Sequence, residues 1–443
     1  MFFSKSFGPN GVHPEDYKKL TNTKKIESAD IPNIAYIPVS QHIGKPAKII
    51  VSIGDHVEEG QIIAIGDGFI SSTIHSSIPG TVIDIKDMYI SNGKLSKVVV
   101  IELNGEFRKS GKNIQLSDYL SLSKEDIINK IRDAGIVGMG GATFPLYVKL
   151  TVPQGKKIDT MIINAAECEP FLSCDHRLLL EKTESFLEGI LIANKVIEAK
   201  NVYIGIENNK KDAIKRVKAL CENRYPFKVI SLKVKYPQGD EKQLIKSVTQ
   251  KVLPIGKLPS DIGIVVINTS SVIAIKEAIV NDKPLIERVV TVTGPGIKNP
   301  KNLYVKIGTP VKEIIDECGG LTGNVKKVII GGPMMGFAQM SLDIPVTKGT
   351  SGILCLTEDE SSKFEKEAVC INCGKCISSC AFGLVPTVLN KYINNHLYTK
   401  AYEEGLLNCK ECGACAWSCP AKIPLVQNFR LGKNMINKIV LRK

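Results

Sequence analysis

The chain has 443 residues, more than one ordinary hydrophobic core accommodates, so several domains are expected. It is 43% hydrophobic and 23% charged, the composition of a soluble globular protein. Its net charge of +13 is dispersed rather than gathered into one basic run with interleaved aromatics. This pattern argues against nucleic acid, and it suits an acidic partner or an anionic membrane surface.

No membrane-spanning or secretory segment is predicted. The longest stretches without a charge, such as residues 68–83 and 262–275, are shorter than the roughly 18–20 residues that cross a bilayer. The N-terminus lacks the apolar core of a signal peptide. The sequence therefore predicts a cytoplasmic chain without a transmembrane helix of its own.

Residues 34–105, which follow an N-terminal segment (1–33), predict short β-strands. Short β-branched runs alternate with glycine-containing turns, as in residues 49–65 and 74–85. The pattern resembles the barrel-sandwich fold of biotinyl and lipoyl carriers, which present a modified lysine at a hairpin tip. Residues 66–77, the equivalent stretch, contain no lysine. We therefore expect a structural module rather than a carrier.

The middle of the chain predicts an α/β architecture. Between residues 123 and 286, apolar strands at 159–164, 202–206, 229–232 and 263–268 alternate with helical segments, which indicates a mostly parallel sheet. Residues 287–350 return to short strands and turns, and a last domain is expected over residues 365–432.

Two cysteine runs stand out near the C-terminus. Cys370, Cys373, Cys376 and Cys380 form a C-x2-C-x2-C-x3-C run, and the same spacing recurs in the second run. That run consists of Cys409, Cys412, Cys415 and Cys419. The duplicated spacing is that of bacterial ferredoxins with two [4Fe–4S] clusters. Zinc also uses C-x2-C pairs, but it does not need the third and fourth cysteines twice over.

The spacing also predicts which cysteines share a cluster. Three thiolates on a tight turn grip three irons, and the fourth cysteine of each run leads toward the other half. We therefore expect a crossed assignment. Cluster 1 takes Cys370, Cys373, Cys376 and Cys419, and cluster 2 takes Cys409, Cys412, Cys415 and Cys380. The proline typical after the fourth cysteine is present at Pro420 and replaced by Ala381 in the first run.

A glycine-rich turn, Gly138-Met-Gly-Gly-Ala-Thr-Phe-Pro145, precedes Lys149 and suits close approach to a phosphate. Alone it is a weak signal, since glycine usually marks ordinary turns. Its companions are Asn164-Ala-Ala-Glu-Cys-Glu169 at the end of a predicted strand, the turn Gly239-Asp-Glu241, and Asn268-Thr-Ser-Ser271 at another strand end. Strand ends of this kind are where α/β folds bind ligands.

Together these motifs resemble the flavin- and NADH-binding subunit of respiratory complex I, and more closely the C subunit of Rnf electron-transport complexes. The latter also has a Gly-Val-His-Pro segment (residues 11–14 here), a barrel-sandwich and two ferredoxin-type clusters. The resemblance covers nearly the whole chain. It implies a multidomain α/β protein with a barrel-sandwich, a Rossmann-like flavin/NAD domain, a β-grasp domain and a helical ferredoxin-like domain.

The resemblance also implies cofactor contacts. The residues implied for FMN are Gly138, Gly140, Gly141, Lys149, Asn164, Glu167, Gly239, Asp240, Glu241, Asn268 and Ser271. Those implied for NAD(H) are Phe144, Lys149 and Glu169. The chain departs from the family pattern in two places. Met139 stands where the family often has arginine, and residues 268–271 are Asn-Thr-Ser-Ser where the family has Asn-Val-x-Thr. For Glu167 and Glu169 the structural alternative is a capped strand end, and residues 174–177 resemble a helix start.

The implied function is electron transfer. A flavin converts two-electron hydride chemistry into the one-electron steps that clusters accept. In an Rnf complex, electrons from reduced ferredoxin would reach NAD+ while membrane subunits translocate a cation. The expected partners are the other Rnf subunits, including membrane-embedded flavoprotein and iron–sulfur subunits, with ferredoxin acting indirectly. The expected location is peripheral, on the cytoplasmic face of the membrane.

Two alternatives stay open at this point. One is a soluble flavin/iron–sulfur reductase of the same build, such as the cobalamin reductase of bacterial microcompartments. The other is a scaffold subunit that carries clusters but no flavin, which predicts that NADH bleaches no flavin band.

Overall fold

The computed structural model describes residues 4–110, 118–358 and 367–441. The N-terminal segment does not form a body of its own, because its backbone adds to other parts of the molecule. Lys5 and Val12 form β-bridges with Leu232 and Tyr236. A 3-10 turn at Lys18–Leu20 follows, and strand β1 (Ile26–Ser28) then pairs with a distant sheet.

The next seven strands form a two-sheet sandwich. They are β2 (Ile34–Pro38), β3 (Lys48–Ile49), β4 (His56–Val57), β5 (Ile62–Ile65), β6 (Ile74–His75), β7 (Gly80–Tyr89) and β8 (Leu95–Leu103). One sheet has the order β2-β8-β7-β4 and the other β3-β5-β6. Fully buried side chains such as Ile37, Ile63 and Ile101 fill the space between them. The alternation of β-branched and polar residues thus produces one apolar inner face per sheet.

An α/β unit follows, with a four-stranded parallel sheet in the order β11-β10-β9-β12. Its strands are β9 (Thr160–Ala165), β10 (Asn201–Glu207), β11 (Lys228–Leu232) and β12 (Ile264–Asn268). Its helices are α1 (Lys124–Asp133), α2 (Leu146–Leu150), α3 (Cys174–Glu181), α4 (Thr183–Ile197), α5 (Lys211–Arg224), α6 (Glu241–Thr249) and α7 (Thr269–Val280). The predicted strands agree with these within about one residue, a margin at which strand limits are in any case conventional.

A six-stranded mixed sheet comes next, in the order β1-β14-β13-β17-β15-β16. Its further elements are β13 (Glu287–Thr293), β14 (Lys301–Lys306), α8 (Val311–Glu317), β15 (Val325–Ile330), β16 (Phe337–Ala338) and β17 (Gly352–Thr357). β17 lies beyond residue 350 and pairs with both β13 and β15 inside this sheet. β1 pairs in parallel with β14, so the sheet also takes in a strand from the N-terminal segment.

The C-terminal part is helical. It contains α9 (Lys375–Ser378), α10 (Pro386–Asn394), α11 (Tyr398–Glu403), α12 (Ala414–Trp417) and α13 (Leu425–Ile439). The two cysteine runs fold alike. Each short helix, α9 or α12, begins after a left-handed glycine, Gly374 (φ 72°) or Gly413 (φ 81°). Glycine adopts this conformation without the steric cost that a Cβ would add.

A buried chain of alternating charges joins three of these units. Lys306 Nζ lies 2.6 Å from Glu59 Oε1 and 2.9 Å from Glu287 Oε2. Lys283 Nζ lies 2.6 Å from Glu287 Oε1 and 2.9 Å from Glu277 Oε2. Glu59 belongs to the sandwich, Glu287 to β13 and Glu277 to α7. Burial alone would raise the pKa of Glu59, but Lys306 and Ser110 hold it below the usual value.

We expect Glu59→Gln to lower the free energy of unfolding by about 3–5 kcal/mol, because it leaves the Lys306 charge buried without one of its partners. The lowered pKa of Glu59 means that its stabilisation is present above the unfolded value of 4.5 and is lost at lower pH. Chemical denaturation at pH 7 measures the effect.

The matched control is Asp67→Asn in the same sandwich, since the Asp67–Lys45 pair is exposed (44% and 65%). Its loss should cost less than about 1 kcal/mol. Equal effects of the two substitutions would contradict a special role for the buried chain.

Candidate cofactor crevice and cysteine centres

The predicted binding motifs meet at the point where the order of the parallel sheet reverses. From β9 the chain adds β10 and β11 on one side, and it then returns to add β12 on the other. Asn164 and Asn268, the final polar residues of β9 and β12, are direct neighbours in the sheet register. A crevice opens outside the carboxyl ends of the strands at such a switch point, and α/β sheets bind ligands there.

The glycine-rich turn lies over this crevice. It is closed by hydrogen bonds from Gly138 N to Phe144 O (2.8 Å) and from Thr143 N to Gly138 O (3.0 Å). Ser271 fastens it to α7, because its hydroxyl accepts from Met139 N (2.9 Å) and donates to Val137 O (3.2 Å). Residues 140–142 are exposed at the rim.

Glycine is required where this turn approaches the strand ends. A Cβ added to Gly140 would lie 3.3–3.4 Å from three side-chain atoms of Asn268, and Gly141 has a φ of +110°. The first value leaves almost no room, and the second is a conformation that other residues rarely adopt. The turn is therefore shaped for close backbone approach to a ligand.

Hydrogen bonds connect the turn at residues 239–241 and Lys149 with the same strands. Asn164 Nδ2 donates to Gly239 O (2.8 Å), which brings the turn at residues 239–241 beside the end of β9. Asp240 caps α6 by accepting from the backbone N–H groups of residues 242 and 243. Lys149 Nζ donates to Glu241 Oε1 (2.9 Å) and to Val266 O (2.9 Å). All four sequence motifs thus converge.

Glu167 has its carboxylate engaged within the protein. Its oxygens accept from Asp175 N (2.7 Å) and His176 N (3.3 Å), at the start of α3. Burial raises its pKa, while Lys18 and Lys210 act in the opposite direction. The Glu167 carboxylate therefore binds the first N–H groups of α3 from the loop that follows β9.

Glu169 joins the crevice to the turn after β15. Its oxygens accept from Met334 N (3.1 Å) and Met335 N (3.0 Å). Burial raises the pKa of Glu169 to about 7, against the opposing effect of these two hydrogen bonds. Glu169 therefore combines a raised pKa with a carboxylate that is bound to the backbone of this turn.

Two buried lysines behind the crevice were not expected from the sequence. Lys18 Nζ donates to the carbonyl oxygens of Glu167 (3.0 Å), Glu169 (2.9 Å) and Leu172. Lys210 Nζ donates to Ala166 O (2.7 Å). Because the carbonyls of this loop point back toward the lysines, the two side chains fix the loop's backbone orientation. Nothing in the sequence distinguishes Lys18 from its exposed neighbour Lys19.

Asp175 is a further crevice residue that no sequence motif indicated. Residues 174–177 begin helix α3, and Asp175 lies in its first turn. Its side chain points to the residues of the crevice. It accepts from Asn268 Nδ2 (2.8 Å) and from Ser270 Oγ (2.7 Å). Asp175 therefore orients the strand-end asparagine that the resemblance assigns to FMN.

The eight cysteines form two groups. Cys419 is within electrostatic range of Cys376, together with Cys370 and Cys373. Cys380 is within range of Cys409, Cys412 and Cys415. The fourth cysteine of each run thus interacts electrostatically with cysteines of the other run.

The two groups differ in their surroundings. Cys370 and Cys373 are exposed at the surface. Cys412 and Cys168 instead both pack against a buried cluster that contains Tyr236 and Ala414. Cys168 Sγ in turn accepts from Gly239 N (3.2 Å) in the crevice. The second cysteine group thus lies on the crevice side of the domain, whereas two cysteines of the first group are exposed to solvent.

Four family models match successive parts of the chain. They are the RnfC barrel sandwich hybrid domain (residues 6–106), the Nuo51 FMN-binding domain (131–277), the SLBB domain (289–338) and the 4Fe-4S dicluster domain (369–423). The cysteine region is thus an iron–sulfur domain, and the crevice lies in an FMN-binding domain. These matches confirm the predicted order of domain types.

Similar proteins match over nearly the whole chain. The C subunit of the proton-translocating ferredoxin:NAD(+) oxidoreductase complex of Clostridium ljungdahlii is 45% identical over 96% of this chain and 93% of its own length. The C subunit of the Na(+)-translocating complex of Acetobacterium woodii is 41% identical over 96% of both chains. The chain belongs to this family of C subunits. The corresponding C subunit of the ion-translocating oxidoreductase complex of Rhodobacter capsulatus is 40% identical, over 98% of this chain and 84% of its own length.

A solved structure supports the fold of this family member. An NAD+-reducing [NiFe]-hydrogenase in the H2-reduced state superimposes with a TM-score of 0.54 at 16% identity, covering 75% of this chain and 68% of that chain. Within the described ranges of the chain, none of the helices has both the length and the apolar character needed to cross a bilayer.

We expect Lys18→Met to weaken FMN binding by at least about tenfold, equivalent to about 1.4 kcal/mol. The substitution removes the donor of one buried carbonyl, that of Leu172, and of two partly buried ones, and a buried loss of this kind costs about 1–3 kcal/mol. Equilibrium titration of flavin-free protein with FMN measures the affinity. Lys19→Met is the matched control and should bind FMN as the unaltered chain does. Unchanged affinity in Lys18→Met would contradict the role of Lys18.

Proposed function

We propose that this protein binds FMN and NAD(H) in the switch-point crevice and exchanges their electrons with two [4Fe–4S] clusters. One observation carries the proposal: the segment 236–241 is bonded to the crevice, through Asn164 and Gly239, and to the second cysteine group, through the Tyr236 hydroxyl and Cys412 O. The names of the similar proteins supply the overall reaction, ferredoxin:NAD+ oxidoreduction coupled to ion translocation.

The residues present suit FMN. The glycine turn offers backbone N–H groups at an exposed rim, and Lys149 supplies a positive charge for a phosphate. The proposed FMN set is Gly138, Gly140, Gly141, Lys149, Asn164, Glu167, Gly239, Asp240, Glu241, Asn268 and Ser271. Within it, Ser271 and Asp240 act by holding the turn and α6 in place, since their side chains bond to the protein. When bound, the flavin supplies the conversion between two-electron and one-electron chemistry.

NAD(H) is proposed to lie at the open side of the same crevice. Phe144 is half-buried beside the turn and is proposed to stack on the adenine, while Lys149 lies near phosphate. Glu169 is proposed to face the nicotinamide or its ribose. Burial raises its pKa to about 7. This chain's part in the reaction is to bind, orient and exclude water.

The cluster assignment follows from the two cysteine groups. Cluster 1 is proposed to take Cys370, Cys373, Cys376 and Cys419, and cluster 2 to take Cys409, Cys412, Cys415 and Cys380. Cluster 2 adjoins the crevice, so it is the first to exchange electrons with it. Cluster 1 has exposed ligands, so it is the place where a partner protein delivers or removes electrons.

The partners are proposed to be the other subunits of the Rnf complex, with ferredoxin acting indirectly, at the cytoplasmic face of the membrane.

The proposed division into units is 1–33, 34–105, 123–286, 287–350 and 365–432, with β17 added to the fourth unit. The similar proteins named above are parts of multi-subunit complexes, which favours this function over a free-standing reductase.

The ligand assignment predicts different results for the fourth cysteines of the two runs. After anaerobic reconstitution, Cys419→Ser should alter the EPR signal of cluster 1 and leave cluster 2 reducible by NADH. Cys380→Ser should alter cluster 2, so that NADH reduces the flavin but electrons no longer reach cluster 1. These outcomes follow because each fourth cysteine completes the set of the other run.

The same preparations test the function as a whole. Unaltered protein should take up FMN and iron and sulfide equivalent to two cubane clusters, and NADH should bleach the flavin band. Protein that carries clusters but takes up no FMN would refute the proposed function and favour the scaffold alternative. If Cys380→Ser alters cluster 1 instead, the crossed assignment is wrong while the function stands.

A further inference from the structure

We infer that Tyr236 and Gln243 are positioning residues that hold cluster 2 at a fixed separation from the flavin crevice. The inference rests on the proposed function and adds to it a structural device for electron transfer. It starts from residues 236–243, called here the bridging segment, which passes between the crevice and the helical iron–sulfur domain.

Tyr236 contacts one arm of the cluster 2 site. The residue is only 1% exposed, and its Oη donates to Cys412 O at 2.7 Å. Its backbone is held from the other side, since it exchanges two hydrogen bonds with Val12 of the N-terminal segment, 2.8 and 2.9 Å long. Tyr236 therefore has little freedom to move relative to either neighbour.

Gln243 contacts the other arm. It lies in α6, is 6% exposed, and its Nε2 donates to Ala381 O at 2.9 Å. Ala381 follows Cys380, the cysteine that the first run contributes to cluster 2. The two side chains thus reach both polypeptide arms of one cluster, each through a backbone carbonyl adjacent to or within a ligand residue.

The same bridging segment carries Gly239, Asp240 and Glu241, the proposed FMN residues. Eight consecutive residues therefore connect the crevice with the cluster 2 site. The last of them belong to helix α6, which Asp240 caps. A third close contact supports the docking, because a Cβ at Gly413 would lie 2.7 Å from Met334 O. Met334 itself donates its N–H to Glu169 at the edge of the crevice.

Such contacts act on electron transfer through distance. In each step one electron leaves the reduced donor and one cluster accepts it, so the two centres must stay close and correctly oriented. Displacements of about 1 Å, caused by distant substitutions, are enough to lower reaction rates substantially. Loss of either hydrogen bond also removes the donor of a partly buried carbonyl, which weakens the docking of the cysteine domain on the bridging segment.

The test uses two variants, each with a matched control. The control for Gln243→Met is Gln427→Met, the same change at an exposed site of α13, and the control for Tyr236→Phe is Tyr402→Phe at an exposed site of α11. The first member of each pair should slow NADH-driven reduction of cluster 2 by about tenfold. In Gln243→Met, NADH oxidation by an acceptor that takes electrons directly from the flavin should change by less than about twofold, because the distance to the cluster does not enter that reaction.

A second measurement does not depend on turnover. Hydrogen–deuterium exchange of the reconstituted protein should speed up in residues 376–384 or 409–415 in Gln243→Met and Tyr236→Phe, while iron content and dithionite-reduced EPR intensity stay as in the controls. Unchanged exchange together with an unchanged rate of cluster 2 reduction would overturn the inference. Failure of the unaltered protein to bind FMN would instead refute the proposed function.

Discussion

The proposed electron transfer depends on the separation between the switch-point crevice and the second cysteine group. That separation is set where the bridging segment, residues 236–243, packs between them. On one side Asn164 holds the turn at Gly239, and on the other Tyr236 and Gln243 bond to the cysteine domain. The remaining architecture serves this placement, since the sheet supplies the strand ends and the lysines behind the loop fix its carbonyls.

Charges and strands from distant parts of the sequence hold this arrangement together. The N-terminal segment contributes Lys18 to the crevice, pairs with the bridging segment at Val12, and adds β1 to the six-stranded sheet. The chain of buried charges from Glu59 to Glu277 joins sandwich, mixed sheet and α/β unit. Removing one partner of a buried ion pair leaves an uncompensated charge in the interior. These contacts therefore couple the units more firmly than exposed ion pairs do.

Periodicity and spacing were sufficient for the local features. The apolar runs ending at Asn164 and Asn268 are strands, and the predicted iron–sulfur domain matches the 4Fe-4S dicluster domain model. The crossed assignment of Cys380 and Cys419 stays a prediction. Helical periodicity continues from α3 into α4 and gives no sign of the break at Lys182, whose backbone (φ −123°, ψ 33°) is not helical. Lys18, Asp175 and Tyr236 could not be predicted, since their partners are distant in sequence and no pattern marks a buried lysine or tyrosine.

The most direct test is rapid anaerobic mixing of the reconstituted protein with NADH, with flavin absorbance and freeze-quenched EPR followed together. We expect the flavin to be reduced first, cluster 2 next and cluster 1 last, the two clusters being told apart by the Cys380→Ser and Cys419→Ser variants. Reduction of cluster 1 before cluster 2, or flavin reduction that reaches neither cluster, would contradict the proposed path of electrons.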